Sequence, residues 1–460
     1  MTNSNEYLGT APLGRLLTKL AIPTVLAQLV NMLYNIVDRI YIGHMPGDGD
    51  LALTGVGICM PIILIVSAFA ALVGSGGAPR ASIFMGGKNT KGAEEILGNS
   101  LVVLLGVSAV LTAVLLVWNR DLLLAFGGSE NTIGYATDYM NIYAMGTVFV
   151  QLTLGMNAYI TAQGFAKEGM ITVVIGAVCN IVLDPVFIFG LGMGVKGAAL
   201  ATILSQAVSA AWVMAFLFGQ KTLLRFRKEN LKPRWEVTGP CIALGLAPFI
   251  MQSTESLISV CFNASLLKYG GDVAVGAMTI LTSVMQLAML PLNGLGQGAI
   301  PIISYNFGAK NKARVRSAFK LLLKCNTVYS CVFGLLIILV PGFFVSIFTD
   351  KPELQQFAAR MLPVYCAMVP IFGIQTACQM TFMSIGNAKS SILVAVMRKL
   401  VLLIPLIYIL PGLLENQTLA VYLAEPVADF FSVCFAASLF ANQFKKALKK
   451  MDDLPQQTNA

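Results

Sequence analysis

Residues 180–190 read Asn-Ile-Val-Leu-Asp-Pro-Val-Phe-Ile-Phe-Gly, so a carboxylate and a proline stand inside an apolar run of membrane-spanning length. A charge at that depth costs about 3 kcal/mol or more and is retained mainly where it faces a wet cavity or a cation. Pro185 lacks an N–H and leaves the carbonyl of Ile181 without its helical partner. Asn180 lies about 40° from Asp184 around a helix. The stretch predicts an oxygen-rich site for a small cation; the alternative is a kinked helix whose acid pairs with a neighbouring Arg.

The composition indicates a polytopic helical membrane protein. Of 460 residues, 57% are hydrophobic and only 12% are charged, which is too apolar for a soluble chain of this length. The nine cysteines are scattered singly, without zinc or redox spacing. Neither a Gly-x-x-x-x-Gly-Lys phosphate loop nor a Gly-x-Ser-x-Gly or His-Glu-x-x-His motif occurs. We therefore expect neither an enzyme nor an ATP-driven pump, and no cofactor.

Apolar runs near the spanning length of about 20 residues recur twelve times along the chain. They cover residues 16–43, 51–77, 94–118, 135–162, 169–190, 196–219, 240–266, 273–300, 317–346, 356–385, 390–412 and 417–443. Lys and Arg concentrate in alternate loops, above all in 220–238, 310–320 and 445–450. This asymmetry predicts that both termini face the cytoplasm. The net charge of +9 then reflects topology and attraction to anionic lipid, so we expect no nucleic-acid partner.

The chain contains an internal repeat at a constant shift of 222 residues. Matched pairs include Pro79 and Pro301, Ser82 and Ser304, Gly86 and Gly308, Lys88 and Lys310, Asn89 and Asn311, Gly164 and Gly386, and Lys167 and Lys389. Six spans per repeat give both halves the same orientation, with an axis along the membrane normal and a cleft between them. We predict a monomer with two six-helix lobes, residues 1–219 and 239–460, joined by a basic linker at 220–238.

A polar stripe on the first span points to the partner of Asp184. The stripe contains Gln28, Asn31, Asn35 and Asp38, with Tyr34 at its margin. Helix rise places Asp38 and Asp184 in the same outer half of the membrane. Two carboxylates that meet in a low dielectric share a proton or bind a cation. Arg39 is a rival partner for Asp38.

Two hydroxyls are candidates for the same site. Thr202 lies on the next span at a similar depth, and Tyr139 begins the fourth span. The alternatives are a threonine bonded to its own helix and a tyrosine anchored at the membrane surface. We predict a coupling site formed by Asp38, Asn180, Asp184, Thr202 and Tyr139.

The second half offers candidates for substrate contact. On the seventh span, Gln252 and Glu255 share a polar face, and a single acid near mid-membrane attracts cationic substrates. Met285 and Met289 share a face of the eighth span; flexible thioethers fit varied apolar ligands, although such a stripe is also typical of plain core. Glu425, followed by Pro426, either caps a helix or has a functional role. We predict substrate contacts from Asn31, Tyr34, Asn35, Gln252, Glu255, Met285 and Met289.

Five segments resemble the multidrug and toxic compound extrusion (MATE) family, and most of all its MepA-type bacterial branch. They are residues 34–43 (Tyr-Asn-Ile-Val-Asp-Arg-Ile-Tyr-Ile-Gly), 180–185, 252–256 (Gln-Ser-Thr-Glu-Ser), 301–308 and 424–429 (Ala-Glu-Pro-Val-Ala-Asp). The resemblance covers nearly the whole chain. It implies an all-α membrane fold of twelve helices in two lobes around a central cleft.

The resemblance also implies a function. Members of the family export cationic, lipophilic compounds in exchange for Na⁺ or H⁺, and their first-lobe cation site maps onto Asp38, Asn180, Asp184 and Thr202, which are the metal ligands if the ion is Na⁺. An acidic residue on the seventh span maps onto Glu255. A flippase of a lipid-linked precursor on the same fold is the alternative, and a cleft lined with Lys and Arg would favour it.

Overall fold

The computed structural model describes residues 6–45 and 49–453, and within these ranges the chain is helical and forms no strand. The α-helices are α1 (Glu6–Thr10), α2 (Leu13–Gly43), α3 (Gly49–Gly86), α4 (Thr90–Ala125), α5 (Ile133–Met145), α6 (Thr147–Ala162), α7 (Ala166–Pro185), α8 (Val195–Phe218), α9 (Trp235–Gly308), α10 (Lys312–Leu339), α11 (Pro341–Ser346), α12 (Pro352–Tyr365), α13 (Val369–Ser384), α14 (Ala388–Val396), α15 (Ile404–Ile409) and α16 (Gln417–Asp453). Wider π-helical turns occupy Val186–Gly190 and Met397–Leu403.

Nine helices in the described ranges are long and apolar enough to cross a membrane, and the bent pair α12 and α13 makes ten. The 74 residues of α9 would extend about 110 Å, far beyond one bilayer. Gly271, at φ 66°, breaks this helix between the two predicted spans 240–266 and 273–300. The predicted span 135–162 corresponds to α5 and α6, which meet at Gly146. The all-α membrane fold is therefore confirmed.

One compact unit comprises Ile22–Ser253 together with α1. Within it α3 packs against α4, α5 and α6, and α7 packs against α8. A Cβ on Gly74 would lie 2.7 Å from the carbonyl oxygen of Gly155, so the close approach of α3 to α6 requires glycine at that position. This packing fixes the frame on which α7 and α8 present their polar side chains.

The other compact unit comprises Ala11–Ala21 and the chain from Thr254 onward. Here α10 packs against α13, and α16 packs against α12 and α13. Its core includes the fully buried rings of Phe262 and Tyr422. The boundary between the compact units therefore lies inside α9, whereas the lobe boundaries at 219 and 239 stay a prediction.

The sequence repeat has a counterpart in backbone conformation. Lys88 and Lys310 adopt left-handed φ values of 60° and 58°, which non-glycine residues rarely do. Each lysine is followed by an asparagine that caps the next helix. The Asn89 side chain accepts from the backbone N–H of Gly92 at 2.9 Å, and Asn311 accepts from that of Arg314 at 3.1 Å.

The repeat also preserves a buried contact between helices. Ser82 on α3 donates its hydroxyl to the carbonyl of Ala162 at 3.3 Å, and Ser304 on α9 donates to that of Ser384 at 2.8 Å. Donors and acceptors are both 222 residues apart. The two halves therefore share tertiary geometry as well as sequence.

Polar contacts fix the segment after α8 to the first unit. The buried carboxylate of Glu94 accepts from Nε of Arg227 and from the backbone N–H of Arg225. Asn99 accepts from the backbone N–H of Arg234 at 2.6 Å. The predicted linker is therefore attached to the start of α4 along much of its length.

Candidate functional site

The candidate site combines side chains carried by α2 and by α7 in the first unit. The carboxyl groups of Asp38 and Asp184 are close enough to interact electrostatically with each other. Asn180 donates from Nδ2 to Oδ1 of Asp184 at 3.3 Å, as the spacing of four residues predicts. Asn180 and Asp184 are both buried. Pro185 ends α7 and a π-helical turn follows, so the acid stands at an irregular point of the span.

Three oxygen atoms at this site have no hydrogen-bond donor among the residues that the structure describes. They are Oδ1 of Asp38, Oδ2 of Asp184 and Oδ1 of Asn180, and all three are buried. An unpaired buried acceptor costs about 1 to 3 kcal/mol, and more when it is charged. Oxygen ligands suit a hard monovalent cation, and a proton placed between two carboxyl groups satisfies both. These three oxygen atoms can therefore bind either a proton or a sodium ion.

Two predicted hydroxyls lie beside the acids. The phenol of Tyr139 is buried, and its electrostatic neighbours include Thr202 and Asp38. Tyr34 is an electrostatic neighbour of both Asp38 and Asp184. Burial of Tyr139 favours a role in the site over an anchor at the membrane surface. The five residues of the predicted coupling site are thus brought together, whereas Arg39 is exposed.

A cavity of about 40 Å³ is lined by Asn180 and Thr202 of the predicted coupling site. Its polar lining includes Asn31, Tyr34, Asn180, Thr202, Ser205 and Gln206. This volume holds a few water molecules, whereas sites for drug-sized ligands measure about 300 Å³ or more. Asn35 donates its amide to the carbonyl of Asn31 at 2.7 Å, so its own helix engages that side chain. The cavity therefore suits water and ions rather than a whole drug molecule.

Glu255 is not the lone acid that the sequence suggested, and that interpretation is wrong. Lys399 donates from Nζ to Oε1 of Glu255 at 2.7 Å, and the lysine is buried. Attraction of a cationic substrate to Glu255 would therefore compete with this ion pair. The predicted role of Glu255 in substrate binding stays a prediction.

Arg398 forms a second buried ion cluster that sequence reasoning missed. Its Nε donates to Oδ1 of Asp429 at 2.7 Å and its terminal nitrogen donates to Oε1 of Glu425 at 2.9 Å. The guanidinium also lies 4.6 Å from the ring centre of Phe372. Glu425 is inside α16 and bound to Arg398, so it is not a helix cap. The available signal was the Arg-Lys pair inside the apolar run 390–412.

The remaining predicted substrate contacts are Met285, Met289 and Gln252, all on α9. Met285 is buried in the core of the second unit, and Met289 packs against that core. Gln252 is partly buried on α9. Met285 therefore has the position expected of an ordinary core residue. Contact with substrate stays a prediction for all three residues.

Comparison with known proteins identifies the family of this chain. The family model MatE matches residues 23–186 and 248–409. The multidrug export protein MepA of Staphylococcus haemolyticus is 24% identical over 435 residues, covering 94% of this chain and 95% of that protein. MepA of Staphylococcus saprophyticus is 23% identical, covering 85% and 86%.

Solved structures share the fold. A MATE transporter in its bent conformation matches with a TM-score of 0.92 at 21% identity, covering 98% of this chain and all of that one. An outward-facing multidrug resistance MATE transporter matches with a TM-score of 0.90, also at 21% identity, covering 97% and 99%. The chain therefore belongs to the MatE family and is a MepA-like, multi-pass MATE transporter rather than an enzyme.

Proposed function

We propose that this chain is a secondary antiporter that exports cationic, lipophilic compounds across the bacterial cell membrane in exchange for Na⁺ or H⁺. The cation binds to Asp38, Asn180 and Asp184, with Thr202 and Tyr139 beside them. The observation that carries the proposal is the set of three buried oxygens without a donor at one irregular point of the span. The names of the MepA relatives, which are multidrug export proteins, support the export of drugs.

The site supplies a physical basis for exchange. With no ion bound, two carboxylates face each other in a low dielectric and repel. A bound cation or proton removes this repulsion and favours a state in which α2 and α7 stay close. A cationic substrate attracted by the same negative charge favours the wider, ion-free state. Exchange requires only that each ligand binds one state more tightly than the other.

The small cavity is consistent with alternation between two states. Its volume admits water and an ion, so a lipophilic substrate requires a wider arrangement of the same helices. We propose that Tyr34 and Asn31, which line the cavity, contact substrate in that arrangement. In this proposal both termini and the linker face the cytoplasm. The basic loops at 220–238 and 310–320 would lie on the same side of the membrane as the termini, and loops rich in Lys and Arg face the cytoplasm.

The flippase alternative lacks support from the charges. A lipid diphosphate would require cations that are free to bind it. Arg398 and Lys399 are the buried bases of the second unit's cluster, and each is already bound to a carboxylate. The three acids outnumber the two bases, so this cluster does not favour an anionic headgroup.

The test is transport by purified protein in liposomes with Na⁺ and H⁺ gradients imposed separately. Uptake or release of a fluorescent lipophilic cation is followed against each gradient. An antiporter moves the dye against the dye's concentration gradient when the Na⁺ or the H⁺ gradient is present. Dye transport stops when that cation gradient is collapsed. Dye movement at a rate that is independent of both cation gradients would overturn the proposal.

A further inference from the structure

The ion cluster of the second unit is not electrically balanced. It contains three carboxylates, from Glu255, Glu425 and Asp429, and two cations, from Arg398 and Lys399. All but Glu255 are buried. With every group in its ordinary ionised form, the cluster carries one negative charge in excess.

The excess charge is located at the Glu425 and Asp429 end of the cluster. Lys399 and Glu255 neutralise each other at 2.7 Å. Arg398 is a single cation shared by two carboxylates, at 2.7 Å from Asp429 and 2.9 Å from Glu425. A planar guanidinium matches this paired geometry but supplies only one charge.

One carboxylate oxygen in this cluster lacks a donor. Oδ2 of Asp429 has no hydrogen-bond partner within the described part of the chain. Water does not reach it easily, because the residue is only 1% exposed. The hydroxyl of Ser432, one turn along α16 and equally buried, has no partner there either. An unbalanced, incompletely bonded carboxylate in a low dielectric is costly, and protonation removes the cost.

Among the residues that the structure describes, the other groups around these acids do not supply the missing charge. Tyr365 and Cys366, at the end of α12, are close to Glu425 and are neutral in their ordinary forms. Lys399 is committed to Glu255. We propose that Glu425 and Asp429 together bind one proton at neutral pH, forming a proton site in the second unit that is separate from Asp38 and Asp184. This goes beyond the proposed function, which places the coupling ion in the first unit.

The ligand is a proton rather than a metal cation because Arg398 already occupies the position between the carboxylates. A sodium ion would need several oxygen ligands and would be repelled by the guanidinium. A proton needs no additional space and converts a carboxylate oxygen into the missing O–H donor. Protonation also loosens one of the two contacts of Arg398, which is adjacent in sequence to Lys399.

Infrared spectroscopy of the purified protein in lipid tests the proposal through the carbonyl stretch of protonated carboxylic acids. The measurement uses the double variant Asp38→Asn/Asp184→Asn, so its outcome does not depend on the first-unit site. At neutral pH we expect one carboxylic acid band in this background. Labelling with ¹³C-aspartate or ¹³C-glutamate shifts the band and assigns it without any further substitution.

We expect the band to disappear when either Glu425→Gln or Asp429→Asn is added to the double variant. Each change leaves a single carboxylate whose charge Arg398 balances, so no proton is bound. Glu415→Gln, an exposed acid of the same unit, should leave it unchanged. Absence of the band in the double variant at neutral pH would overturn the proposal, and so would its survival in folded Glu425→Gln and Asp429→Asn variants. Loss of the band when Na⁺ is added at constant pH would assign the site to a metal cation instead.

Discussion

Lys399 and Glu255 form an ion pair at 2.7 Å in which the lysine side chain is 5% exposed and the glutamate side chain is 54% exposed. The acid is therefore the accessible end of a pair whose cation is buried. A substrate cation that reaches Glu255 must offset the loss of this bond. The pair therefore gives Glu255 a structural role, whether or not it also contacts substrate.

Removing the charge of Glu255 should destabilise the protein. Glu255→Gln removes the carboxylate that accepts from the buried ammonium of Lys399. We expect a loss of about 1 to 3 kcal/mol in the free energy of unfolding, because the exposed carboxylate is partly screened by solvent. Thermal unfolding in detergent measures the change. The double variant Glu255→Gln/Lys399→Met should recover most of the loss. An unchanged melting temperature in the single variant would show that the pair contributes nothing.

The two bonds of Arg398 should not be replaceable by lysine. Arg398→Lys keeps the charge but cannot donate to Glu425 and Asp429 in the same forked geometry, so we expect a loss of about 1 to 3 kcal/mol in unfolding free energy. Arg360→Lys, an exposed site on α12, is the matched control and should change stability by less than about 0.5 kcal/mol. Equal stability of both variants would contradict the bridging role.

The left-handed conformation of Lys88 predicts a stabilising glycine. Lys88→Gly relieves about 1 to 2 kcal/mol of backbone strain against an entropic cost of about 0.5 to 1 kcal/mol, so stability should rise slightly. Lys310→Gly, its counterpart in the repeat, should respond in the same direction. Lys320→Gly, exposed within α10, should instead lose about 1 kcal/mol. The prediction fails if Lys88→Gly melts lower than Lys320→Gly.

The attachment of the linker should depend on Glu94. Glu94→Gln weakens the charge-assisted bond from Arg227 to a buried carboxylate, and we expect a loss of about 1 to 3 kcal/mol together with faster proteolysis between 220 and 234. The neighbouring substitution Glu95→Gln removes a partly exposed pair with Arg234 at 3.4 Å and should cost less than about 1 kcal/mol. Identical protease sensitivity of the two variants would count against a fixed linker.

The Asn180–Asp184 contact and the two Lys-Asn turns were predictable because both follow from local spacing. A carboxylate four residues from an amide, inside an apolar run, has few stable surroundings. The shared Lys-Asn turn appears in sequence as a constant shift and in structure as matched φ values at Lys88 and Lys310. Such features depend on neighbours along the chain.

The Arg398 and Lys399 contacts were not predictable in the same way. Their partners lie on α9 and α16, and nothing in local spacing decides which acid faces which base. The methionine face of α9 was ambiguous for a different reason, since flexible thioethers serve core and ligand surface equally well. The single predicted span 135–162 is two helices because the backbone departs from helical geometry at Gly146, a local event that the hydrophobic pattern does not register.

The most direct test of the account is cation-driven efflux by Asp184→Asn in liposomes, measured beside Asp138→Asn as a matched change at an exposed site of the same unit. Both variants must insert and remain monodisperse. The account predicts that Asp184→Asn reduces gradient-driven efflux of a lipophilic cation to the level of protein-free liposomes, whereas Asp138→Asn retains the wild-type rate. Wild-type efflux by folded Asp184→Asn would contradict the assignment of the coupling site.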